Sequence, residues 1–144
     1  MHTGRLLKSF FHLVKEYIEI NSFNYNLSEF MPLLIKSFSR LQQVTAFIAS
    51  KGLSDPDEAA GPATDYLRMF ALVAIGYVWT QYAEISFNKL NDDSEGFYRA
   101  KIESGKYYIN KLLPETGSLM SSIMSGAKSY NDYDDSYFDS AFKL

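Results

Sequence analysis

The sequence contains no cysteine, which excludes disulfide bonds, thiolate metal sites and a cysteine nucleophile. The absence of cysteine also fits a reducing compartment, so we expect the chain to be cytoplasmic. Basic residues are not in excess either, because 14 Lys and Arg stand against 17 Asp and Glu and give a formal net charge of −3. A phosphate backbone is normally held by clustered basic side chains, so we expect no nucleic-acid binding.

Long hydrophobic segments are also missing. The most apolar run, residues 66–79, includes Arg68 and is shorter than the roughly 18 residues that a bilayer-spanning helix needs. This run therefore predicts a buried helix in a globular domain and no membrane span.

The common motifs of catalytic sites are absent as well. The chain has no Gly-x-Gly-x-x-Gly, no phosphate-binding loop and no Gly-x-Ser-x-Gly elbow. Its two histidines, His2 and His12, have no Glu-x-x-His or His-x-x-x-His partner, so neither a di-iron nor a zinc site can be assembled. We expect no catalytic, cofactor-binding or metal-binding residue in this chain.

What the sequence does contain is apolar material, at 47% hydrophobic and 16% aromatic residues, which is enough for the core of one domain over residues 1–144. Apolar residues recur every three to four positions, the period of an amphipathic helix. The predicted fold is all-α, an antiparallel bundle of about five helices. These helices cover residues 5–20, 28–51, 64–90, 94–113 and 115–129.

The predicted boundaries depend on capping and breaking residues. Ser28 and Ser94 are placed to cap the second and fourth helices, because short polar side chains accept bonds from the first free N–H groups. Residues 53–63, rich in proline, glycine and acid, are predicted to form the longest loop. Residues 130–144 form an acidic-aromatic tail whose composition is compatible both with docking through its rings and with a loose state.

Three residues are candidates for an interface or for packing. Arg68 is the sole charge in the apolar run, and it either contacts an anion or a partner or, as we favour, reaches water over a packed stem. Gly76 and Gly105 each cost helix propensity, so we expect that a close approach of two helices explains them.

Two carboxylates, Glu84 and Glu103, lie well inside predicted helices. Acid–base chemistry at either one needs an enclosed pocket and a perturbing environment. Charges of this kind usually belong to solvated helix faces, and we favour that interpretation.

Two ordered segments carry a resemblance to a known family. The run Ala-Thr-Asp-Tyr-Leu-Arg-Met-Phe-Ala-Leu-Val-Ala-Ile-Gly-Tyr-Val-Trp at residues 63–79 is followed by Phe97-Tyr-Arg-Ala-Lys101 and by Lys106-Tyr-Tyr-Ile-Asn-Lys-Leu-Leu-Pro-Glu-Thr116. Together they resemble the long helix and the Leu-Leu-Pro-Glu-Thr break in the C-terminal extension of bacterial acyl-CoA dehydrogenases. The resemblance covers residues 63–138, and residues 5–50 are compatible with it.

The resemblance implies a whole enzyme of fatty acid metabolism, a flavoprotein that dehydrogenates an acyl-CoA thioester and passes the hydride to FAD. The family's Tyr-Glu-Gly-Thr segment, which accompanies the catalytic glutamate in many members, does not occur in this chain, so no residue here inherits the base role. The resemblance therefore implies a non-catalytic C-terminal domain that packs on the catalytic domains or on a neighbouring subunit of a homo-oligomer. The alternative is a free-standing helical protein-interaction module.

Overall fold

The computed structural model describes residues 2–126 of the chain. Its regular elements are all helical and no strand occurs among these residues, which confirms the predicted all-α class. The helices are α1 (His2–Asn21), α2 (Met31–Ser54), α3 (Pro56–Ala60), α4 (Ala63–Asn88), α5 (Phe97–Tyr107) and α6 (Glu115–Met124). The acidic-aromatic tail, residues 130–144, lies outside the described residues.

The connection between α1 and α2 contains a 3₁₀ turn, Tyr25–Leu27. Asn24 caps this turn, because its side chain accepts a hydrogen bond from the N–H of Asn26. Ser28 belongs to this turn, because its N–H bonds to the carbonyl of Tyr25. Helix α2 therefore begins at Met31 and not at residue 28 as predicted.

The segment predicted as the longest loop is largely helical, so that prediction is wrong. Helix α2 continues to Ser54, and α3 follows after the single residue Asp55. The carboxylate of Asp55 accepts a hydrogen bond from the N–H of Asp57 at 3.1 Å, and Pro56 occupies the first helical position, where its missing N–H costs nothing. The proline thus starts a helix here, and α3 packs back against α2.

Helix α5 begins at Phe97, later than the predicted residue 94, and its cap comes from Asp93. The two carboxylate oxygens of Asp93 accept hydrogen bonds from the N–H groups of Tyr98, at 3.2 Å, and Arg99, at 2.9 Å. These backbone hydrogen bonds, with that of Arg99 the largest cause, lower the pKa of Asp93 below its ordinary value. Asp93, and not Ser94 as predicted, therefore caps α5.

The fourth predicted helix, residues 94–113, is not α-helical to its end. Residues Tyr108–Leu112 form a π-helical turn, closed by a 3.1 Å hydrogen bond from the N–H of Leu113 to the carbonyl of Tyr108. After Pro114, α6 runs to Met124 and stops short of the predicted residue 129. It ends there because Gly126 turns the backbone with a φ of +78°.

Helix α4 organises the bundle, because α2, α5 and α6 all pack against it. Two clusters of buried side chains form the core. The first contains Val14, Phe38, Leu41, Val44, Met69, Val73, Leu119 and Ile123. The second contains Leu27, Phe30, Met31, Ala83, Tyr108, Ile109 and Leu113. Among residues 2–126, no helix combines the length and hydrophobicity needed to cross a membrane.

Candidate interaction surface

The two candidate glycines are both buried, and they contact different side chains. A Cβ atom at Gly76 would lie 3.2 and 3.3 Å from the two δ-methyl groups of Leu113. A Cβ atom at Gly105 would lie 3.0 Å from Cε1 of the buried Phe30 ring and 3.5 Å from the indole of Trp79. Each glycine therefore makes room for a large side chain.

A buried tyrosine fixes the π-helical turn to α4. The hydroxyl of Tyr108 donates a 2.7 Å hydrogen bond to the carbonyl of Leu72. Burial raises the pKa of Tyr108 to about 12, with a smaller contribution from the charge of Glu115. The neutral phenol is thus the form that the fold requires.

Arg68 lies at the surface of α4 and forms an ion pair within the chain. Its Nε donates to Oε1 of Glu115 at 2.6 Å and its Nη2 donates to Oε2 at 3.1 Å, while 62% of the arginine side chain stays exposed. The hydrogen bond and charge of Arg68 lower the pKa of Glu115. The pair joins α4 to the first turn of α6. The guanidinium is exposed to solvent, as predicted, but it also binds Glu115, a partner that the sequence did not indicate.

The two interior carboxylates have structural partners. Glu84 accepts a 2.8 Å hydrogen bond from the phenol of Tyr17, and burial followed by this hydrogen bond raises the pKa of Tyr17 well above its ordinary value. Glu103 has a side chain that is 67% exposed and lies 3.8 Å from the ammonium of Lys106. No group of three or more potential metal ligands occurs within residues 2–126.

The largest departure from expectation is an exposed apolar stripe on α4, which we call the α4 face. We expected this helix to be buried all round, because its first half is apolar on every side. Instead, side chains spaced three or four residues apart project away from the bundle on one side of the helix. The α4 face consists of Ala71, Ile75, Val78, Tyr82 and Ile85, and the four larger members are 46%, 40%, 49% and 51% exposed.

Helix α5 extends this apolar surface. A groove of about 340 Å³ lies between α4 and α5, with Tyr82 and Ile85 on one wall and Phe97 and Lys101 on the other. The ring of Phe97 is 58% exposed, and the Lys101 ammonium lies 5.4 Å from its centroid. This surface therefore consists of aromatic and aliphatic groups. The Lys101 ammonium at its border already contacts the ring of Phe97.

The α4 face could have been suspected from the sequence. Residues 66–79 carry apolar side chains around the whole circumference of the helix, whereas a surface helix normally has a polar side. Such a pattern predicts that every side is covered, but it does not say whether the cover comes from this chain.

The chain matches a known protein family over most of its length. The family model described as acetyl-CoA dehydrogenase C-terminal like matches residues 10–134, which include all of α2 to α6 and most of α1. Among curated proteins, none matches the chain significantly.

Proposed function

Since this chain belongs to the acetyl-CoA dehydrogenase C-terminal-like family, we propose that it is the non-catalytic helical domain of a flavin-dependent acyl-CoA dehydrogenase. In this proposal the domain packs through its α4 face on the catalytic domains or on a neighbouring subunit. The observation that carries the proposal is the unpartnered apolar stripe along α4.

Leaving this apolar stripe in water costs free energy. Contiguous apolar patches are uncommon on monomeric domains and usually mark an interaction site. Burial of apolar surface contributes about 25 cal/mol per Å². Covering Ile75, Val78 and Ile85 therefore favours association and offsets part of the entropy lost when two surfaces dock. The rings of Tyr82 and Phe97 add side chains of the type enriched in interface cores.

The α4 face does not fit FAD. A flavin dinucleotide needs donors for its pyrophosphate, usually backbone N–H groups of a glycine-rich turn or guanidinium groups. The face presents aliphatic and aromatic side chains, and the Lys101 ammonium at its border lies over the rings of Phe97 and Trp79. We therefore assign FAD and the catalytic base to other domains of the enzyme and derive no chemical step for this chain.

Amide hydrogen exchange tests this proposal. Deuterium uptake is compared between this chain alone and the full-length enzyme that contains it, for peptides covering residues 71–86 and, as the internal control, residues 49–60. We expect uptake in residues 71–86 to fall in the full-length enzyme while the control peptide changes little. Equal uptake at 71–86 in the two proteins means that the α4 face is not covered, and it would favour a free-standing module.

A further inference from the structure

A second apolar surface, the α1–α4 groove, lies at the opposite end of α4 from the α4–α5 groove. It is about 310 Å³ in volume and is lined by Leu6, Leu7, Tyr66, Leu67 and Phe70. Leu6 and Leu67 are 70% and 69% exposed, so the groove is open to solvent and almost wholly apolar. A cavity of about 150 Å³ is enough to hold benzene, so this groove has room for about two aromatic rings.

The end of α6 lies close to this groove. The hydroxyl of Ser122, in the last turn of α6, donates a 2.9 Å hydrogen bond to the carboxylate of Asp65 in the first turn of α4. Beyond Gly126 the chain continues for 18 further residues, to Leu144. An extended chain covers up to about 3.4 Å per residue, so Tyr133 can lie up to roughly 24 Å from Gly126. That reach exceeds the roughly 10 Å length of the first two turns of α4.

The composition of this segment complements the groove. Residues 130–144 are rich in aromatic side chains and carry four aspartates at positions 132, 134, 135 and 139. Helix α1, which forms one wall, has no acidic residue before Glu16, while Arg5 and Lys8 in its first half are basic. The N-terminal end of a helix is itself electropositive, which adds to the attraction for carboxylates.

Parts of both partners lie outside the region matched by the family. The family match covers residues 10–134, whereas Leu6 and Leu7 precede it and residues 135–144 follow it.

We propose that the acidic-aromatic tail, residues 130–144, binds in the α1–α4 groove of its own chain. Its rings pack on the exposed leucines, and its aspartates lie over the basic first half of α1. The tail then covers apolar surface at the first turns of α4, separately from the α4 face.

Methyl NMR of the intact chain tests this binding. Aromatic rings shift the resonances of nearby methyl groups, so we compare wild type with a variant carrying Tyr133→Ser, Tyr137→Ser and Phe138→Ser. We expect the δ-methyl resonances of Leu6, Leu7 and Leu67 to shift between the two proteins, while those of Ile75 and Ile85 do not. Unchanged groove methyls, or shifts confined to Ile75 and Ile85, overturn the proposal. Groove shifts that depend on protein concentration also overturn it, because the tail would then bind a second copy.

A peptide titration supplies the matched control. A synthetic peptide of residues 130–144 is added to the triple tail variant, whose groove is expected to be free. We expect saturable shifts of the groove methyls, weaker at high salt, with Leu67→Ser raising the Kd about tenfold or more and Ile85→Ser leaving it unchanged. Circular dichroism checks that both variants are folded, and equal effects of the two substitutions would exclude the groove as the binding site.

Discussion

The phenol of Tyr17 on α1 donates a 2.8 Å hydrogen bond to the carboxylate of Glu84 on α4. Sixty-seven residues of sequence separate the two partners, and this side-chain bond links the C-terminal halves of their helices. Tyr17 also stacks edge-on against Tyr77, with ring centroids 5.3 Å apart. This hydrogen bond is a polar link between α1 and α4.

Replacing Tyr17 by Phe should destabilise the domain, because Glu84 loses its donor in a partly buried position. Hydrogen bonds to charged groups contribute about 1.5–3 kcal/mol, and we expect a loss in the lower part of that range by urea denaturation at pH 7. The double variant with Glu84→Gln should lose less than the sum of the two single changes. Full additivity would show that the two groups do not interact.

Alkaline pH should weaken the fold through Tyr108. Its pKa is raised from 10.0 to about 12 by burial, so the neutral phenol stabilises the folded state fully below pH 10. That contribution is lost as the pH rises through about 12, because the unfolded state releases the proton first. We therefore expect Tm to fall between pH 10 and pH 12 in wild type and to fall less in Tyr108→Phe. Equal decreases of Tm in the two proteins would contradict this prediction.

Adding a methyl group at Gly105 should overpack the core. The new Cβ would lie 3.0 Å from the ring of Phe30, which is only 1% exposed and cannot move aside easily. We expect Gly105→Ala to lower the free energy of unfolding by about 1–3 kcal/mol despite its better helix propensity. Gly4→Ala is the control, because no atom lies within 4 Å of its new Cβ, and it should not destabilise the domain.

Removing Arg68 should have a small effect on stability that becomes smaller in acid and in salt. The lowered pKa of Glu115 means that the pair stabilises the fold above the ordinary carboxyl pKa of 4.5 and loses this effect as the pH falls. We expect Arg68→Met to lower Tm slightly at pH 7 in low salt, and we expect its difference from wild type to shrink as the pH falls below 4.5 or as salt is raised to 1 M. A large, salt-independent loss would indicate packing of the arginine stem.

A charge on the α4 face should separate folding from association. Ile75 is 46% exposed, so Ile75→Glu should leave the urea midpoint of the isolated chain close to wild type. In the full-length enzyme that we propose contains this chain, the same change should raise deuterium uptake over residues 71–86. Leu53→Glu is the control, because Leu53 is 92% exposed at the end of α2, and it should change neither measurement.

The periodicity of the sequence predicted the long helices because amphipathic spacing depends on local geometry alone. It failed at residues 53–63, where Pro56 reads as a breaker but starts α3 with the help of Asp55. The cap from Asp93 was not predicted, because a capping side chain usually comes from the residue just before the helix. That residue is Gly96 here, and Asp93 lies farther ahead of it. The π-helical turn leaves no pattern that distinguishes it from an α-helix.

The candidate surface was harder to predict than the fold. Apolar side chains around the first half of α4 predicted a helix buried on every side, whereas the structure leaves the α4 face exposed. Which side this chain leaves open depends on how α2, α5 and α6 are arranged, and that arrangement comes from contacts distant in sequence. The partners of Gly76 and Gly105 escaped prediction for the same reason.

The π-helical turn also sets the rotational register of everything that follows it. A wider turn admits one more residue than an α-helical turn does, and it brings Tyr108, Ile109 and Leu113 into the core together. Loss of a single residue from this turn would rotate the later side chains by about 100°. Leu113 would then lose its contact with Gly76. The direction of α6, which follows the Leu-Leu-Pro-Glu-Thr break, would change as well. The length of this short segment is therefore as constrained as the identity of its residues.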